Sequence, residues 1–292
     1  MTPFTPWQTA ALDAIGGGLG AARWTDCGGS SLNATWRLDV AGVRYFVKVN
    51  GAARRSMLEA EAVGLRELAK SGAIRVPSPV ATGAAEDAAF LVLEWLDLAG
   101  GGRDAALGRA LAALHRATSP RFGWHRDNTI GTTPQANAWS DDWVAFLRDR
   151  RLGPQLALAA RDGHGAALRR DGERLLAALP ALLRGRVPAP SLLHGDLWSG
   201  NAARLATGEP VIFDPAVYFG DREADLAMTE LFGGFGADFY AAYREAWPLD
   251  AGYPLRRTLY NLYHVLNHAN LFGGGYVGQA GAMIGRLLAE TR

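Results

Sequence analysis

The stretch LLHGDLWSGN at residues 192–201 constrains this chain more than any other segment. Two leucines run into a His, an Asp and an Asn, the pattern of a buried element that surfaces into a polar loop. Asp196 can take up a proton, and Asn201 can offer a neutral oxygen to a metal ion. Asp214 ends a second short apolar run, VIFD. An acid, an amide and a second acid, each at the end of a strand-like segment, match the needs of a magnesium–nucleotide site.

Two residues further upstream could complete such a site. Lys48 stands inside the apolar strand segment YFVKVN, where a lysine is usually an edge or snorkelling residue. Glu61 lies beside the apolar stripe of the next helix, between Leu58 and Leu65. Because a carboxylate turned to the core needs a cationic partner, we expect Glu61 to pair with Lys48. A strand lysine that pairs with a helix glutamate and reaches two phosphates is typical of kinases.

Asp196 and Asn201 also reproduce the D-x-x-x-x-N spacing of the kinase catalytic loop, with His194 two residues before the Asp. Gly195 replaces the arginine that commonly precedes this Asp. Asp214 takes the place of the aspartate in the kinase DFG motif, but a proline follows it. Since proline restricts the backbone, we expect a permanently formed site. A helix cap or a turn would explain one loop aspartate, but it does not explain all these residues in the kinase order.

The segment DCGGSSLNATWRL is rich in glycine and serine just before the Lys48 strand. The backbone amides of Gly28, Gly29 and Ser30 could approach phosphate oxygens closely. The segment matches neither the P-loop motif nor the full G-x-G-x-x-G motif, which disfavours a P-loop NTPase and a Rossmann site. Cys27 borders it; an ordinary small residue is the favoured interpretation, and redox modulation of nucleotide binding is the alternative.

The order of the elements indicates two lobes. Strand-like runs and a single long helix occupy the first third of the chain, VPSPVATG reads as a loop, and most later segments read as helices. We predict an α+β, two-lobed fold like that of protein kinases. A small N-terminal lobe with an antiparallel sheet would comprise residues 1–96, and a larger, mainly helical C-terminal lobe would comprise residues 97–292.

Composition restricts the partners. The 292 residues are 49% hydrophobic and 20% charged, with a formal net charge of +1. No basic run indicates a nucleic-acid arm, so we expect neither nucleic acid nor a membrane as partner. The first residues lack the pattern of a signal peptide, and a single cysteine fits a reducing compartment. We therefore expect a cytoplasmic protein, and a monomer.

Several segments together resemble the fructosamine kinase (ketosamine-3-kinase) family, a branch of the aminoglycoside-phosphotransferase-like kinases. These segments are HGDLWSGN, FDPAVYFGDREADLAMTELFGGF and YHVLNHANLFGGGY, and the similarity runs from about Thr9 to Leu288. HGD…N and FDP are shared with aminoglycoside and choline kinases. DLWSGN, FGDREADLAM, FGGF and NHANLFGGGY are more particular to the fructosamine kinases.

The resemblance implies ATP as phosphoryl donor and Mg²⁺ as cofactor, and it implies a role for each of the candidate active-site residues. Asp196 would be the catalytic base, Asn201 and Asp214 would hold magnesium, Lys48 would contact the α- and β-phosphates, and Glu61 would orient Lys48.

Other residues would surround these. The backbone of Glu94, Trp95 and Leu96 would form the hinge that reads adenine. Asp225, with His194, would support the catalytic loop structurally. Trp198 could stack on a sugar or pack against the helical lobe. His268 could direct a polar group at the substrate; its helical spacing from His264 lacks the Glu of a zinc-protease motif, which disfavours metal binding.

The expected activity is phosphorylation of the 3-hydroxyl of a ketosamine, the sugar adduct of an amine or a protein lysine. The 3-phosphate made by this family breaks down and releases the amine, which implies protein repair by deglycation. Ribulosamine, erythrulosamine and fructosamine all stay open, and the bacterial-looking composition favours the smaller sugars. One alternative is a kinase of aminoglycosides or choline, which the arginine-rich region 139–185 disfavours for polycations. The other is a pseudokinase binding module, which the intact Lys, Asp and Asn disfavour.

Overall fold

The computed structural model describes residues 4–18, 22–29, 32–86 and 88–291. A five-stranded antiparallel sheet with the order β1-β2-β3-β5-β4 forms the N-terminal lobe. Its strands are β1 (Arg23–Gly29), β2 (Ala34–Val40), β3 (Val43–Gly51), β4 (Pro79–Ala85) and β5 (Ala88–Glu94). The antiparallel sheet of the small lobe is thereby confirmed.

Two helices cover the two faces of this sheet, α1 (Pro6–Ala14) and α2 (Arg55–Lys70). Successive strand residues point to opposite faces, so β3 divides its side chains between the helices. Val47 and Val49 pack into a small apolar cluster with the buried residues of α1. Lys48, between them, points to the other face and reaches α2. The alternation of β3 thus directs a lysine towards the inner face of α2.

The sequence predicted a loop at VPSPVATG, and this prediction was wrong. Most of the segment belongs to the strand β4. β4 lies at the edge of the sheet and pairs with the buried strand β5, with a register shift near Pro79. Proline is tolerated at the start of an edge strand, where its missing N–H is not needed. Pairing with β5, rather than local propensity, makes this segment a strand.

The C-terminal lobe is mainly helical, as predicted. Its helices are α3 (Ala105–His115), α4 (Trp143–Phe146), α5 (Gly153–Arg161), α6 (Ala166–Leu182), α7 (Glu223–Leu231), α8 (Ala237–Ala246), α9 (Tyr253–Phe272) and α10 (Gly275–Ala289). A π-helical turn at Leu147–Leu152 joins α4 to α5. The sequence reading did not include α8 and α10. In α10, four glycines weaken the helical signal, but Ala280, Ile284, Leu287 and Leu288 are buried at helical spacing.

Short strands in this lobe carry the loops of interest. They are β6 (Leu98–Ala99), β7 (Asn128–Ile130), β8 (Thr133–Gln135), β9 (Ser191–Leu193), β10 (Ala202–Leu205), β11 (Pro210–Ile212) and β12 (Tyr218–Gly220). They form a sheet of order β11-β10-β6 and two pairs, β9 with β12 and β7 with β8. The chain passes from the first sheet to the second between Glu94 and Leu98, close to the predicted boundary at residues 96 and 97.

A continuous apolar core joins the lobes, from Leu58 and Leu65 of α2 to the helices of the larger lobe. The lobes approach each other closely at Gly64, where an added Cβ would lie 3.1 Å from Cγ2 of Val217. This small residue lets α2 approach the segment that follows Asp214. Within the described ranges, no helix combines the length and apolar character needed to cross a bilayer.

Candidate active site

A cavity of about 480 Å³ lies between the lobes. Residues of both lobes line it, including Lys48, Glu61, Asp196, Asn201 and Asp214. The fold therefore brings together the five chemical residues that the sequence singled out, although they are up to 166 positions apart.

Lys48 is the centre of a buried ion-pair triangle. Its Nζ lies 2.6 Å from Oε1 of Glu61 and 2.5 Å from Oδ1 of Asp214. Burial alone would lower the pKa of Lys48, but the charges and hydrogen bonds of Asp214 and Glu61 outweigh it and raise the pKa above its ordinary value. Lys48 therefore stays charged, and it ties α2 of the small lobe to the Asp214 loop of the large lobe.

The catalytic-loop segment begins directly after β9, and its path requires a glycine. Gly195 has a φ of +83°, and an added Cβ would lie 2.1 Å from the carbonyl oxygen of Ala216. The backbone N–H of Ala216 in turn donates to the carbonyl of His194 at 2.8 Å. Close packing of the two loops thus explains why the commonly found arginine is absent here.

Asp225, at the start of α7, holds the backbone of this loop. Its carboxylate accepts hydrogen bonds from the backbone N–H of His194 at 2.7 Å and of Gly195 at 2.9 Å. His115 of α3, which the sequence reasoning missed, lies 3.2 Å from the same carboxylate. Burial would raise the pKa of Asp225, but these hydrogen bonds and the neighbouring histidines hold it below its ordinary value. No sequence motif connects His115 to the loop, because only the packing of α3 brings them together.

His194 links the two loops through both ring nitrogens. Its Nε2 lies 2.9 Å from the carbonyl of Phe213, which can only accept, so Nε2 carries the proton. Its Nδ1 then accepts from the backbone N–H of Asp196 at 3.3 Å. Burial lowers the pKa of His194, which keeps the ring neutral and this donor–acceptor arrangement intact.

Asp196 lines the cavity, and its pKa is raised above the ordinary value of an aspartate. Burial and the charges of Asp214 and Asp225 raise its pKa to about 7. A carboxyl group with a pKa near neutrality is suited to accept a proton from a reacting hydroxyl. The side-chain Nδ2 of Asn201 donates to the backbone carbonyl of Asp196 at 2.9 Å, which leaves the Asn201 amide oxygen available as a ligand.

Asp214 adopts a left-handed backbone conformation, with a φ of +59°. A non-glycine residue in this region is strained, and such strain concentrates at functional sites. The described residues contain no group of three or more His, Cys, Asp and Glu that could hold a metal by themselves. The Asn201 amide and the Asp214 carboxylate nevertheless fit Mg²⁺, which typically takes one or two protein oxygens together with substrate phosphates and water.

Aromatic side chains form the opposite side of the cavity. Trp198 is 40% exposed, its ring covers Gly200, and it makes an edge contact with Phe232 at 6.5 Å. Trp198 thus lines the cavity and at the same time contacts the helical lobe through Phe232. His268 lines the cavity as well, and its Nδ1 donates to the carbonyl of His264 at 2.8 Å, which leaves Nε2 available to a ligand.

The proposed adenine-binding residues and the two glycines of the proposed phosphate loop do not line this cavity. Glu94, Trp95 and Leu96 do not line it; the Glu94 carboxylate pairs with Arg75 at 2.5 Å, and its backbone N–H donates to Ser78. The indole N–H of Trp95 donates to Asp97. Gly28 and Gly29 end β1 and do not line the cavity either. Ser30 lies outside the described residues.

The sequence reasoning also missed part of the wall. The β7–β8 hairpin contributes Asn128, Ile130 and Gly131 to the lining. Its three-residue strands carry no strong periodicity, so only its packing on α9 reveals it; there Nδ2 of Asn267 donates to the carbonyl of Ile130 at 3.3 Å.

The two-lobed fold and this cavity define a phosphotransferase of the protein-kinase-like class. The chain is 15% identical to the aminoglycoside phosphotransferase APH(4)-Ia, with a TM-score of 0.64 over 97% of this chain and 98% of that one, and this likeness supports the fold alone. The model of the fructosamine kinase family matches residues 9–290, so the chain belongs to the fructosamine kinase family.

Relatives within the family are closely similar. A protein of Synechocystis sp. named "Probable ketoamine kinase" is 48% identical over 97% of both chains. The chloroplastic protein-ribulosamine 3-kinase of Arabidopsis thaliana is 45% identical over 88% of this chain and 80% of its own length. A crystal structure from Haemophilus somnus assigned to the fructosamine-3-kinases is 29% identical and superposes with a TM-score of 0.87, over 97% of both chains.

Proposed function

We propose that this protein is an ATP-dependent kinase that phosphorylates the 3-hydroxyl of ketosamines, the sugar adducts of amines and of protein lysines. The observation that carries the proposal is the convergence of Lys48, Glu61, Asp196, Asn201 and Asp214 on one interlobe cavity. Family membership and the names of the ketoamine and ribulosamine kinases support the choice of acceptor.

In the proposed reaction, the substrate hydroxyl oxygen forms a bond to the γ-phosphorus of ATP while the bond to the departing ADP oxygen breaks. Asp196 accepts the hydroxyl proton, for which a pKa near neutrality is suitable. Lys48, kept charged and oriented by Glu61, binds phosphate oxygens. Asp225 and His194 hold the backbone that carries Asp196. Positioning and charge supply most of the rate in such transfers.

Asn201 and Asp214 would hold Mg²⁺, which would supply positive charge to the phosphates. Oδ1 of Asp214 lies 2.5 Å from Lys48 Nζ, so Lys48 balances part of the Asp214 charge.

The polar sugar would lie between Asp196 and the indole of Trp198, with Nε2 of His268 as a hydrogen-bond acceptor. Phosphorylation at the 3-position destabilises a ketosamine, so the implied role is protein repair by deglycation. Among the sugars we favour ribulosamine and erythrulosamine, and the named ribulosamine kinases support the former.

An aminoglycoside kinase is the alternative, and the cavity disfavours it. Polycation pockets are lined with extra carboxylates, yet the acidic residues of this described lining are Glu61, Asp196 and Asp214, which all serve phosphoryl transfer. The arginines of residues 139–185 do not bear on this choice, since none of that region lines the cavity.

The test is ATP consumption with Mg²⁺ on matched lysine adducts of ribulose, erythrulose and fructose, with kanamycin and choline as controls. We expect turnover of the ketosamines and a phosphate on the 3-oxygen by ³¹P and ¹H NMR. Turnover of kanamycin or choline alone would overturn the acceptor assignment. Full activity in an Asp196→Asn variant would overturn the assignment of the base.

Two further proposals concern the state of the protein. The free, exposed thiol of Cys27 suits a reducing compartment such as the cytoplasm. Size-exclusion chromatography with light scattering would test the expected monomer.

A further inference from the structure

The outer part of the cavity carries a surface that phosphoryl transfer does not use. Among the described residues, the aromatic side chains classed as exposed are Trp198 at 40%, Phe232 at 41% and Phe272 at 60%. All of them line the same interlobe cavity. Soluble proteins rarely expose contiguous aromatic surface without a ligand for it. Their convergence on one opening therefore indicates a binding surface.

The rings form a continuous path outward from the catalytic loop. Phe232 contacts Trp198 at 6.5 Å and His268 at 5.1 Å between ring centroids. His268 also contacts Phe272 at 5.6 Å and Tyr276 at 5.1 Å. We call these five residues the aromatic platform. It runs from the wall of the proposed sugar site to the rim of the cavity.

Glycines place the outer rings at the rim. Phe232 follows the last residue of α7, and Phe272 is the last residue of α9. Each is followed by two glycines with positive φ, at Gly233 and Gly234 and at Gly273 and Gly274. This backbone turns away at once and leaves each phenyl ring at a helix end. The FGGF and LFGGG motifs thus have the same structural effect, since each leaves an exposed phenyl ring at the end of a helix.

The two asparagines beside the platform are held by protein partners. The Asn267 side chain donates to the carbonyl of Ile130 and accepts from Gln155. The Asn128 amide donates to Val217 and accepts from Gln135. These contacts fix both side chains, so a substituent that leaves the cavity on this side meets mainly the rings of the platform, with Nε2 of His268 as a polar group among them.

The charge around the platform suits a cation. Lys48 is the single Lys or Arg in the described lining, and two carboxylates already neutralise it. α7 and α9 both end at the platform, where the carboxyl end of a helix adds partial negative charge, and the start of α10 at Tyr276 offsets part of it. Aromatic faces also attract ammonium groups. A single ammonium group is therefore favoured there.

Covalent geometry connects this surface to the proposed substrate. In a ketosamine, four single bonds separate the 3-oxygen from the amine nitrogen, a span of at most about 5 Å. With the 3-oxygen at Asp196, the ammonium stays within about this distance of it, and the ring path that begins at Trp198, two residues along the same loop, offers the N-substituent a surface that continues to Phe232. We propose that the aromatic platform binds the ammonium and an apolar or aromatic N-substituent, so that the protein prefers ketosamines of such amines over those of small polar amines. This inference rests on the proposed function and extends it from the sugar to the amine.

The experiment compares kcat/KM for ribulosamine adducts of ethanolamine, phenethylamine and Nα-acetyl-lysine amide. We expect the phenethylamine adduct to exceed the ethanolamine adduct by about tenfold, the gain from burying part of a phenyl ring, with the lysine adduct between them. Phe232→Ala and Phe272→Ala should each reduce this ratio, and Phe272→Tyr should retain it. Val187→Ala, which removes an exposed apolar side chain outside the cavity, should leave the ratio unchanged.

Equal kcat/KM for the phenethylamine and ethanolamine adducts, or a ratio that survives both alanine substitutions, would overturn the inference. Failure to turn over any ketosamine would instead refute the proposed function. In that case calorimetry decides the inference by itself: tighter binding of the phenethylamine adduct, lost in Phe272→Ala, supports the platform, and equal binding of the two adducts refutes it.

Discussion

A buried histidine of α9 gives a quantitative prediction for acid stability. His264 is 6% exposed, and its Nδ1 has no hydrogen-bond partner among the residues that the structure describes. Burial, together with the charges of His268 and Arg151, lowers its pKa from 6.5 to about 3. The folded state therefore holds this ring neutral, whereas the unfolded chain protonates it below pH 6.5. The stability that this neutral ring contributes is fully present above the unfolded pKa and is lost as pH falls towards 3.

The magnitude follows from the two pKa values. The difference between a pKa of 6.5 and one of about 3, at about 1.4 kcal/mol for each tenfold change in proton affinity, corresponds to about 5 kcal/mol of stability in all. Between pH 7.5 and 5.0 the unfolded state gains most of one proton, so the free energy of unfolding should fall by about 2 kcal/mol through His264 alone. Replacement by glutamine removes the titration, so the change in stability between these pH values should be about 2 kcal/mol smaller in His264→Gln than in the wild type.

Urea unfolding followed by tryptophan fluorescence at pH 7.5 and 5.0, without nucleotide or magnesium, measures this difference. Any packing change in the variant acts at both pH values and cancels. The opposite titration of Asp196, whose raised pKa favours the folded state at low pH, is common to both proteins and cancels as well. The same loss of stability on acidification in wild type and His264→Gln would refute the reasoning.

Three further predictions concern the site. Asp196→Asn should lower kcat by about 10²–10⁴-fold, which rate assays test. Because the variant lacks a carboxyl group of raised pKa, its free energy of unfolding should rise relative to that of the wild type between pH 4 and pH 7, which urea unfolding tests. Glu61→Ala should lower the free energy of unfolding by about 2–3 kcal/mol, because Lys48 loses one of its two carboxylate partners and keeps only Asp214, and it should raise the KM for ATP. A variant as stable as the wild type would contradict the buried Lys48–Glu61 pair. Gly195→Ala should fail to fold or should melt far below the wild type, because its Cβ has no room beside Ala216; an unchanged melting temperature would exclude this close approach.

The chemical residues were predictable because their signals are local. Asp196 and Asp214 end apolar runs, Asn201 stands at a fixed spacing from Asp196, and Lys48 interrupts an apolar strand. Local rules of periodicity place all of these at strand ends or on a defined strand face. The two-lobed fold, with its antiparallel sheet and helical lobe, followed from the order of such segments and is confirmed.

The parts that could not be predicted depend on contacts between distant segments. β4 is a strand because β5 offers it an edge, and His115 meets Asp225 because α3 packs beside the catalytic loop. The exposure of Phe232 and Phe272 is equally invisible in the sequence, where a phenylalanine at a helix end is commonly part of the core. Single-residue propensity carries no information on these pairings.

The expectation of a permanently formed site gains a physical basis in the segment around Asp214. The backbone of Phe213 donates to Asn201 and accepts from His194, and that of Ala216 donates to His194 and accepts from Gln135. A reversal of the Asp214 loop would break these hydrogen bonds and leave buried groups unpaired, each at a cost of about 1–3 kcal/mol. Control of this site by flipping Asp214 is therefore energetically disfavoured, and movement of the lobes against each other is the remaining way to open and close the cavity.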